Sequence, residues 1–166
     1  IVHNETSKNE VFEILGKRPK EVAIIPHGNY LDYIGPKRTK NEARTILNLP
    51  EDCNLILFFG QLKKVKGLEI AIKALVELKK TVPKVKLLIA GKMWKDDFSY
   101  YDTLIKNLFL DNDVILHLGY VPQKKVDDYY YASDIIILPY KKIYQSGVLL
   151  MAMSYGIPVI ASDLSG

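Results

Sequence analysis

YKKIYQSGVLLMAMSYGIPVIAS, residues 140–162, decides how this chain is read. It follows an apolar run, DIIILP at 134–139, that reads as a buried strand. A short polar turn over 141–145 comes next. Ser146 and Gly147 then open a helical pattern that continues to Tyr155, and Gly156 stands where a helix C-cap belongs. Residues 158–161 start another strand. The order is strand, loop, helix, strand, with small polar residues at the helix start. Such a start presents unpaired backbone N–H groups at the positive end of the helix dipole, and a phosphate is the usual anion to sit there. An ordinary N-cap that binds nothing gives the same pattern. On this stretch alone both readings stand.

The same alternation extends towards the N-terminus. A short helix over 124–132 precedes the 134–139 run, and a strand over 114–118 closes on Gly119. A helix over 98–110 sets Tyr101, Leu104, Ile105 and Leu108 on one face. A strand over 85–90 closes on Gly91. A helix over 68–82 carries Ile70, Ala71, Ala74, Leu75 and Leu78 at helical spacing. The polar loop GQLKKVKG, 60–67, follows a strand over 55–59. Upstream, a helix over 39–47 has a threonine N-cap, and HGNYLDYIGPK, 27–37, reads as a loop. Residues 22–25 form a short strand ended by Pro26, 6–15 a short helix before Gly16, and 1–3 the tail of a strand.

Strands separated by helices pair in parallel through right-handed crossovers. These strands are short, apolar and mostly unalternating, as expected when both faces are covered. The fold class is α/β, a doubly wound, Rossmann-like parallel sheet. In such sheets ligands bind beyond the carboxyl ends of the strands, which here carry Gly60, Gly91, Gly119 and Pro139. Glycine allows backbone to approach a ligand closely. Glycines also follow strands in α/β folds that bind nothing at that point, so this signal is weak.

Composition sets the outer limits. The 166 residues suffice for one domain with a real core. Apolar content of 48% with 25% charged residues is globular. The net charge of +4 comes from lysines scattered in pairs, which reads as a solvated surface rather than a nucleic-acid face. A single cysteine, Cys53, excludes an internal disulfide and any CxxC motif. It fits a reducing compartment. No apolar run approaches the roughly 18–20 residues that span a bilayer, and no secretory signal is visible. The chain does not begin with Met and stops just after a strand. Both ends read as cuts in a longer protein.

In the 60–67 loop, Lys63 and Lys64 read as solvated. Lys66, next to Gly67 and just before a helix, reads as a contact to an anion. Neither GxxxxGK[ST] nor GxGxxG is present. His3, His27 and His117 lie far apart. His117 falls in a strand and reads as core, while His27 lies in a loop where a function stays open. No metal-ligand spacing appears, and Ser146 lacks a GxSxG elbow. Asp96-Asp97 and Asp127-Asp128 read as surface or capping carboxylates. Tyr129, Tyr130 and Tyr131 read as packing against the sheet rather than as a base-stacking platform.

Several of these segments together resemble one family. They are IIPHG (24–28), FFGQLKKVKG (58–67) with the AIKAL helix, LLIAG (87–91), LHLGYVP (116–122), YYASDIIILPY (130–140) and SGVLLMAMSYGIPVIAS (146–162). Their order and spacing are similar to the C-terminal, donor-binding domain of the GT-B glycosyltransferases of family 4, group 1, which act with retention. The likeness covers nearly the whole chain, and each motif is weak alone.

The resemblance implies a domain over 21–166, truncated at its C-terminus, with 1–20 as the end of a preceding domain or linker. It implies hexose transfer from a nucleotide diphosphate sugar to a glycan or lipid-linked acceptor, held in an N-terminal domain. No metal and no other cofactor is implied. Lys66 would serve catalysis by holding the donor diphosphate, beside Gly60, and Gln61 stands where the family has arginine. Gly91 would bind the donor, and the segment Gly119, Tyr120 and Val121 would contact the nucleobase through its backbone. Gln145, Ser146, Gly147 and Val148 would face the phosphate and sugar. The family's two spaced glutamates would fall at Ile143 and Met151, and both are absent. A cytoplasmic protein is implied, with peripheral membrane association left open and no nucleic-acid partner. The missing glutamates and Gln61 leave a non-catalytic, glycosyltransferase-like interaction module as the alternative. An unrelated domain that binds a nucleotide or sugar phosphate is the third reading.

Overall fold

A computed structural model describes residues 1–16, 22–143 and 145–164. Five strands form one parallel sheet: β1 (Asn54–Phe59), β2 (Val85–Gly91), β3 (Val114–Leu118), β4 (Ile135–Leu138) and β5 (Val159–Ala161). Their spatial order is β3-β2-β1-β4-β5, with every pairing parallel. Leu57 pairs with Leu88 on one side and with Ile136 on the other. The chain thus grows outward from β1 in one direction, then returns to β1 with β4 and grows the other way. The turning point lies between β1 and β4, which is where an open α/β sheet leaves a crevice for a ligand.

Helices cover both faces. α3 (Leu68–Lys79) and α4 (Ser99–Asn107) pack on one, burying Leu68, Ala71, Ile72, Leu75, Tyr101 and Ile105 against Phe58, Leu87 and Ile89. α2 (Lys40–Ile46), α5 (Gln123–Ala132) and α6 (Gly147–Tyr155) cover the other, against Leu55, Leu57, Leu88 and Ile136. The central strands β1 and β2 are buried almost continuously, as two-sided cover requires. β3, at the sheet edge, alternates and leaves Leu116 and Leu118 partly open.

Several elements differ from the sequence patterns. The buried stripe of α3 is Leu68, Ala71, Ile72 and Leu75, while Ile70 and Ala74 point outward. An i, i+3, i+4, i+7 series starting at Leu68 meets the sheet; Ala71 and Leu75 of the sequence pattern belong to it, and Leu78 packs beside it. α3 stops at Lys79 and α4 at Asn107. After α4 the chain turns through Phe109, at φ 55°, and Leu110 drops into the core. The strands read at 1–3 and 22–25 reduce to a single parallel bridge, Val2 to Ile24, since too few residues align to form a ladder. Residue 21 lies outside the described residues.

Asp127 and Asp128 are not surface carboxylates: they are 9% and 3% exposed. Asp127 accepts from the amide of Gly35 at 3.1 Å and from the hydroxyl of Tyr155, while Asp128 pairs with Arg38 at 2.8 Å. They pin the incoming 35–38 segment onto α5 and α6. Asp97, by contrast, caps the amide of Ser99, and Asp96 pairs with Lys64. Tyr129 and Tyr130 pack on Phe59 as expected. His117 is only partly buried and shares a hydrogen bond with the Tyr129 hydroxyl at 3.1 Å.

At the amino ends of the strands, buried Arg44 ties α2 to the sheet. Its guanidinium donates to the carbonyls of Ala132 (2.9 Å), Glu51 (2.6 Å) and Cys53 (3.1 Å) and to Asp134 (2.8 Å). Asp134 also accepts from the Leu55 amide at 2.7 Å and from Lys40. A charge so deeply placed is tolerable only with its donors satisfied this fully.

Candidate functional site

The carboxyl ends of β1 and β4 face each other across the crevice, and two short segments join them there. Gly67, closing the loop after β1, has φ 68°, and a Cβ on it would fall 2.0 Å from the carbonyl of Pro139 at the end of β4. The amide of Lys141 donates to the carbonyl of Val65 at 2.8 Å. This backbone seam fixes the one-turn 3-10 helix Lys64–Lys66 and aims the last lysine inward.

Lys66 is partly buried, and its ammonium lies 5.7 Å from the ring centre of Tyr140. A side chain on Gly60 would meet Lys66 Nζ at 3.2 Å and Val148 Cγ2 at 3.3 Å. Burial, reinforced by the like charge of Lys63, pushes the Lys66 ammonium down to about 8. No carboxylate lies within ion-pair distance of it among the described residues. The neighbouring lysines differ: Lys63 sits over the Trp94 ring at 4.5 Å, Lys64 pairs with Asp96 at 3.2 Å, and Lys141 pairs with Glu69.

α6 begins at the same place. Ser146 is its N-cap, with Oγ accepting from the Leu149 amide at 3.1 Å and bonded to the Tyr140 hydroxyl at 3.1 Å. The carbonyl of Ser146 takes the Leu150 amide. The capping serine is therefore real, and it satisfies only part of the helix start. The amides of Gly147 and Val148 have no partner among the described residues. Two free amides at a helix N-terminus and one unpaired ammonium form an electropositive cradle open to an anion.

Of the residues singled out in the sequence, Gly60, Lys66, Ser146, Gly147 and Val148 are brought together here. Gln61 is exposed at the rim. Gly91 and Gly119 continue the row across the sheet: the Gly60 amide bonds to the Ala90 carbonyl (2.9 Å) and the Gly119 amide to the Gly91 carbonyl (3.0 Å). At about 4.8 Å per strand the row runs roughly 10 Å from the cradle. Tyr120, at its far end, is 80% exposed. Val121 is turned inward and packs against the core. Gln145 lines a cavity of about 230 Å³ beside α6, with Tyr140, Ile143, Ser146 and Leu149, and its Oε1 is buried without a partner among the described residues. Ile143 and Met151 pack against the core as ordinary apolar side chains. A larger cleft, about 640 Å³, is lined by Lys64, Lys95, Met93, Tyr100 and Lys141; Lys64 and Lys141 hold carboxylate partners there. Lys66 lines neither cavity and stands in the crevice between the ends of β1 and β4, next to the start of α6.

Tyr30 reaches the cradle although no motif includes it, and Tyr140, the last residue of the YYASDIIILPY segment, reaches it although the sequence assigned it no role. The glycine at 147 is the one trace of Tyr30 in the sequence, since the Tyr30 hydroxyl lies 2.9 Å from where a Cβ there would sit. Among the described residues no cluster of His, Cys, Asp or Glu could hold a metal ion. No helix of the described residues is long and apolar enough to cross a membrane.

Comparison with known proteins places this arrangement. The family described as glycosyl transferases group 1 matches residues 39–166. The chain belongs to that family. Its fold is the Rossmann-like domain of the GT-B glycosyltransferases. Among solved structures it is similar to the C-terminal domain of a glycosyl transferase group 1 family protein, LpcC, from Francisella tularensis. That match has a TM-score of 0.67 at 22% identity, over 81% of this chain and 70% of that one. It is also similar to Anabaena HepE in complex with UDP, with a TM-score of 0.79 at 21% identity, over 99% of this chain and 44% of that one. Among curated proteins it is 23% identical to a D-inositol 3-phosphate glycosyltransferase of Kineococcus radiotolerans, over 100% of this chain. The chain spans about 40% of that relative's length.

Proposed function

We propose that this chain is the donor-binding domain of a retaining glycosyltransferase that moves a hexose from a nucleoside diphosphate sugar to a glycan or lipid-linked acceptor. The observation that carries the reading is Lys66, a partly buried ammonium set near the start of α6, where neither it nor the amides of Gly147 and Val148 have a charged or hydrogen-bonding partner among the described residues. A diphosphate supplies the missing negative charge. As the bond from sugar to diphosphate breaks, charge builds on the departing oxygens, and a fixed ammonium and amide dipoles stabilise that charge without reorganising. No metal is required for this role. The row Gly91, Gly119, Tyr120 leads away from the cradle towards the nucleobase, and HepE, solved with UDP, makes uracil the first base to try. The acceptor and any base catalyst belong to an N-terminal domain, so the 166-residue chain alone turns over no donor. The intact protein is cytoplasmic in this reading and reaches a lipid-linked acceptor from the membrane surface.

The test is calorimetric titration of the intact protein with UDP, GDP and ADP and with their sugar conjugates. Binding of one base, lost or weakened at least tenfold in Lys66→Ala, is expected. Absence of binding to every nucleotide overturns the reading. It would favour a second one, a non-catalytic glycosyltransferase-like module, which draws on Ile143 and Met151 packing apolar side chains where the family resemblance places carboxylates.

A further inference from the structure

The first turn of α6 has a second polar neighbour, contributed by the loop before α2. The Nδ1–H of His27 donates to the carbonyl of Gly28 at 2.7 Å. With that proton on Nδ1, Nε2 of the neutral ring carries a lone pair, and the Tyr30 hydroxyl donates to it across 3.4 Å. Both atoms face the helix start: the Tyr30 hydroxyl lies 2.9 Å, and His27 Nε2 3.9 Å, from the place a Gly147 Cβ would take. The two rings stand 5.5 Å apart.

The loop is built to hold this position. The Tyr30 amide donates to Ser154 Oγ at 3.1 Å, two turns along α6, and Asn29 accepts from the Leu31 amide at 3.1 Å. Further on, Asp127 and Asp128 clamp Gly35 and Arg38. Ile143, Val148, Leu149 and Met151 near this helix turn are apolar and packed on the core, while Ser146, Tyr140 and Gln145 are its other polar neighbours.

We infer that His27 and Tyr30 contact the transferred sugar of the donor, through a hydroxyl pair on its ring. The inference rests on the donor reading above and names the residues that read the sugar. A lone pair on Nε2 turns away phosphate oxygens, which are acceptors, and suits a hydroxyl, which can donate. The long 3.4 Å contact leaves the Tyr30 hydroxyl free to swivel, as donor or acceptor, to the neighbouring sugar oxygen. With the diphosphate on the Gly147 and Val148 amides, the sugar joined to it is the part of the donor that reaches this pair. His27 and Tyr30 therefore act on the sugar, and Lys66 on the diphosphate.

The experiment compares each nucleoside diphosphate with its own sugar conjugate, UDP with UDP-glucose, GDP with GDP-mannose and ADP with ADP-glucose, by calorimetry on the intact protein. In His27→Ala and in Tyr30→Phe, affinity for the conjugate is expected to fall about tenfold while affinity for the free nucleotide holds. Lys66→Ala is expected to weaken both ligands. Tyr30→Phe removes one oxygen and no packing, and an unchanged melting temperature shows that the fold is intact. The inference is overturned if both variants bind the conjugate as the parent does, or if nucleotide and conjugate weaken equally. A parent protein that binds no ligand of any pair overturns the donor reading itself, a result visible before any variant is made.

Discussion

The carbonyl oxygen of Gly60 occupies the space that a side chain at Gly91 would need: an added Cβ would lie 1.8 Å from it. Gly91 also has φ 149°, a conformation L side chains rarely adopt. Its glycine identity is thus explained by the approach of two neighbouring strand ends, with no ligand required. Gly91→Ala is expected to lower stability by about 3 kcal/mol or more, because backbone rather than a flexible side chain has to move. Chemical denaturation of the two proteins checks this.

Lys66 costs the empty protein stability. Its folded pKa, about 8, lies below the ordinary lysine value of 10.5, so the charged form is disfavoured by folding. The penalty is complete below about pH 8 and is relieved as pH rises from there towards 10.5. Lys66→Met is expected to raise thermal stability at neutral pH, by on the order of 1 kcal/mol, while removing diphosphate binding. A variant that melts lower than the parent would contradict the account.

The same group sets the pH response of binding. Only the ammonium attracts a diphosphate, so affinity is expected to hold below pH 8 and to fall as pH rises through and above it. A bound diphosphate favours the proton and moves the midpoint upward. Titrations between pH 7 and 10 measure the shift, and Lys66→Ala should flatten the curve.

Arg44 and Asp134 govern stability at the opposite end of the sheet. Burial alone would raise the Asp134 carboxyl, but the Leu55 amide, Lys40 and Arg44 together hold it below the usual range. It therefore contributes stability above about pH 4, which is lost as pH falls through its depressed folded value. Arg44→Met is expected to cost about 3–5 kcal/mol, because Asp134 loses its guanidinium partner and three carbonyls, that of Ala132 fully buried, lose this donor. Urea melts at pH 7 and in acid read both effects.

Gly147→Ala tests the loop contact from the helix side. The new methyl would press on the Tyr30 hydroxyl, the free end of a side chain that can swing aside. Thermal stability is expected to change by less than about 1 kcal/mol, while affinity for the nucleotide sugar drops. Equal loss for the free nucleotide would instead place the damage at the helix amides.

Much of this was legible in the sequence because strand and helix periods differ so plainly. The apolar runs at 55–59 and 85–90 have no room for another reading, and Gly156 caps α6 as its position suggests. Lys66, Ser146 and Gly147 were legible through the loops that carry them. What the sequence hid depends on tertiary partners. Asp127 and Asp128 look like solvated helix carboxylates until the 35–38 segment folds over them. Tyr30 is 117 residues from Gly147, and no local pattern records that its hydroxyl ends against that glycine. On α3 the sequence pattern held at Ala71, Leu75 and Leu78 and failed at Ile70 and Ala74, because Ile70 is as apolar as Ile72 and hydrophobicity alone does not tell which of them faces the sheet.

The Arg44 cluster sits at the amino ends of β1 and β4, and the cradle at their carboxyl ends, about 20 Å away along strands of four to six residues. At that separation the free-energy effects of substitutions simply add. One end of the sheet can be rewritten for a different donor while the other keeps the chain folded. Each substitution at the cradle keeps its own cost, and a lineage that alters that end has to meet it from a reserve held elsewhere in the fold.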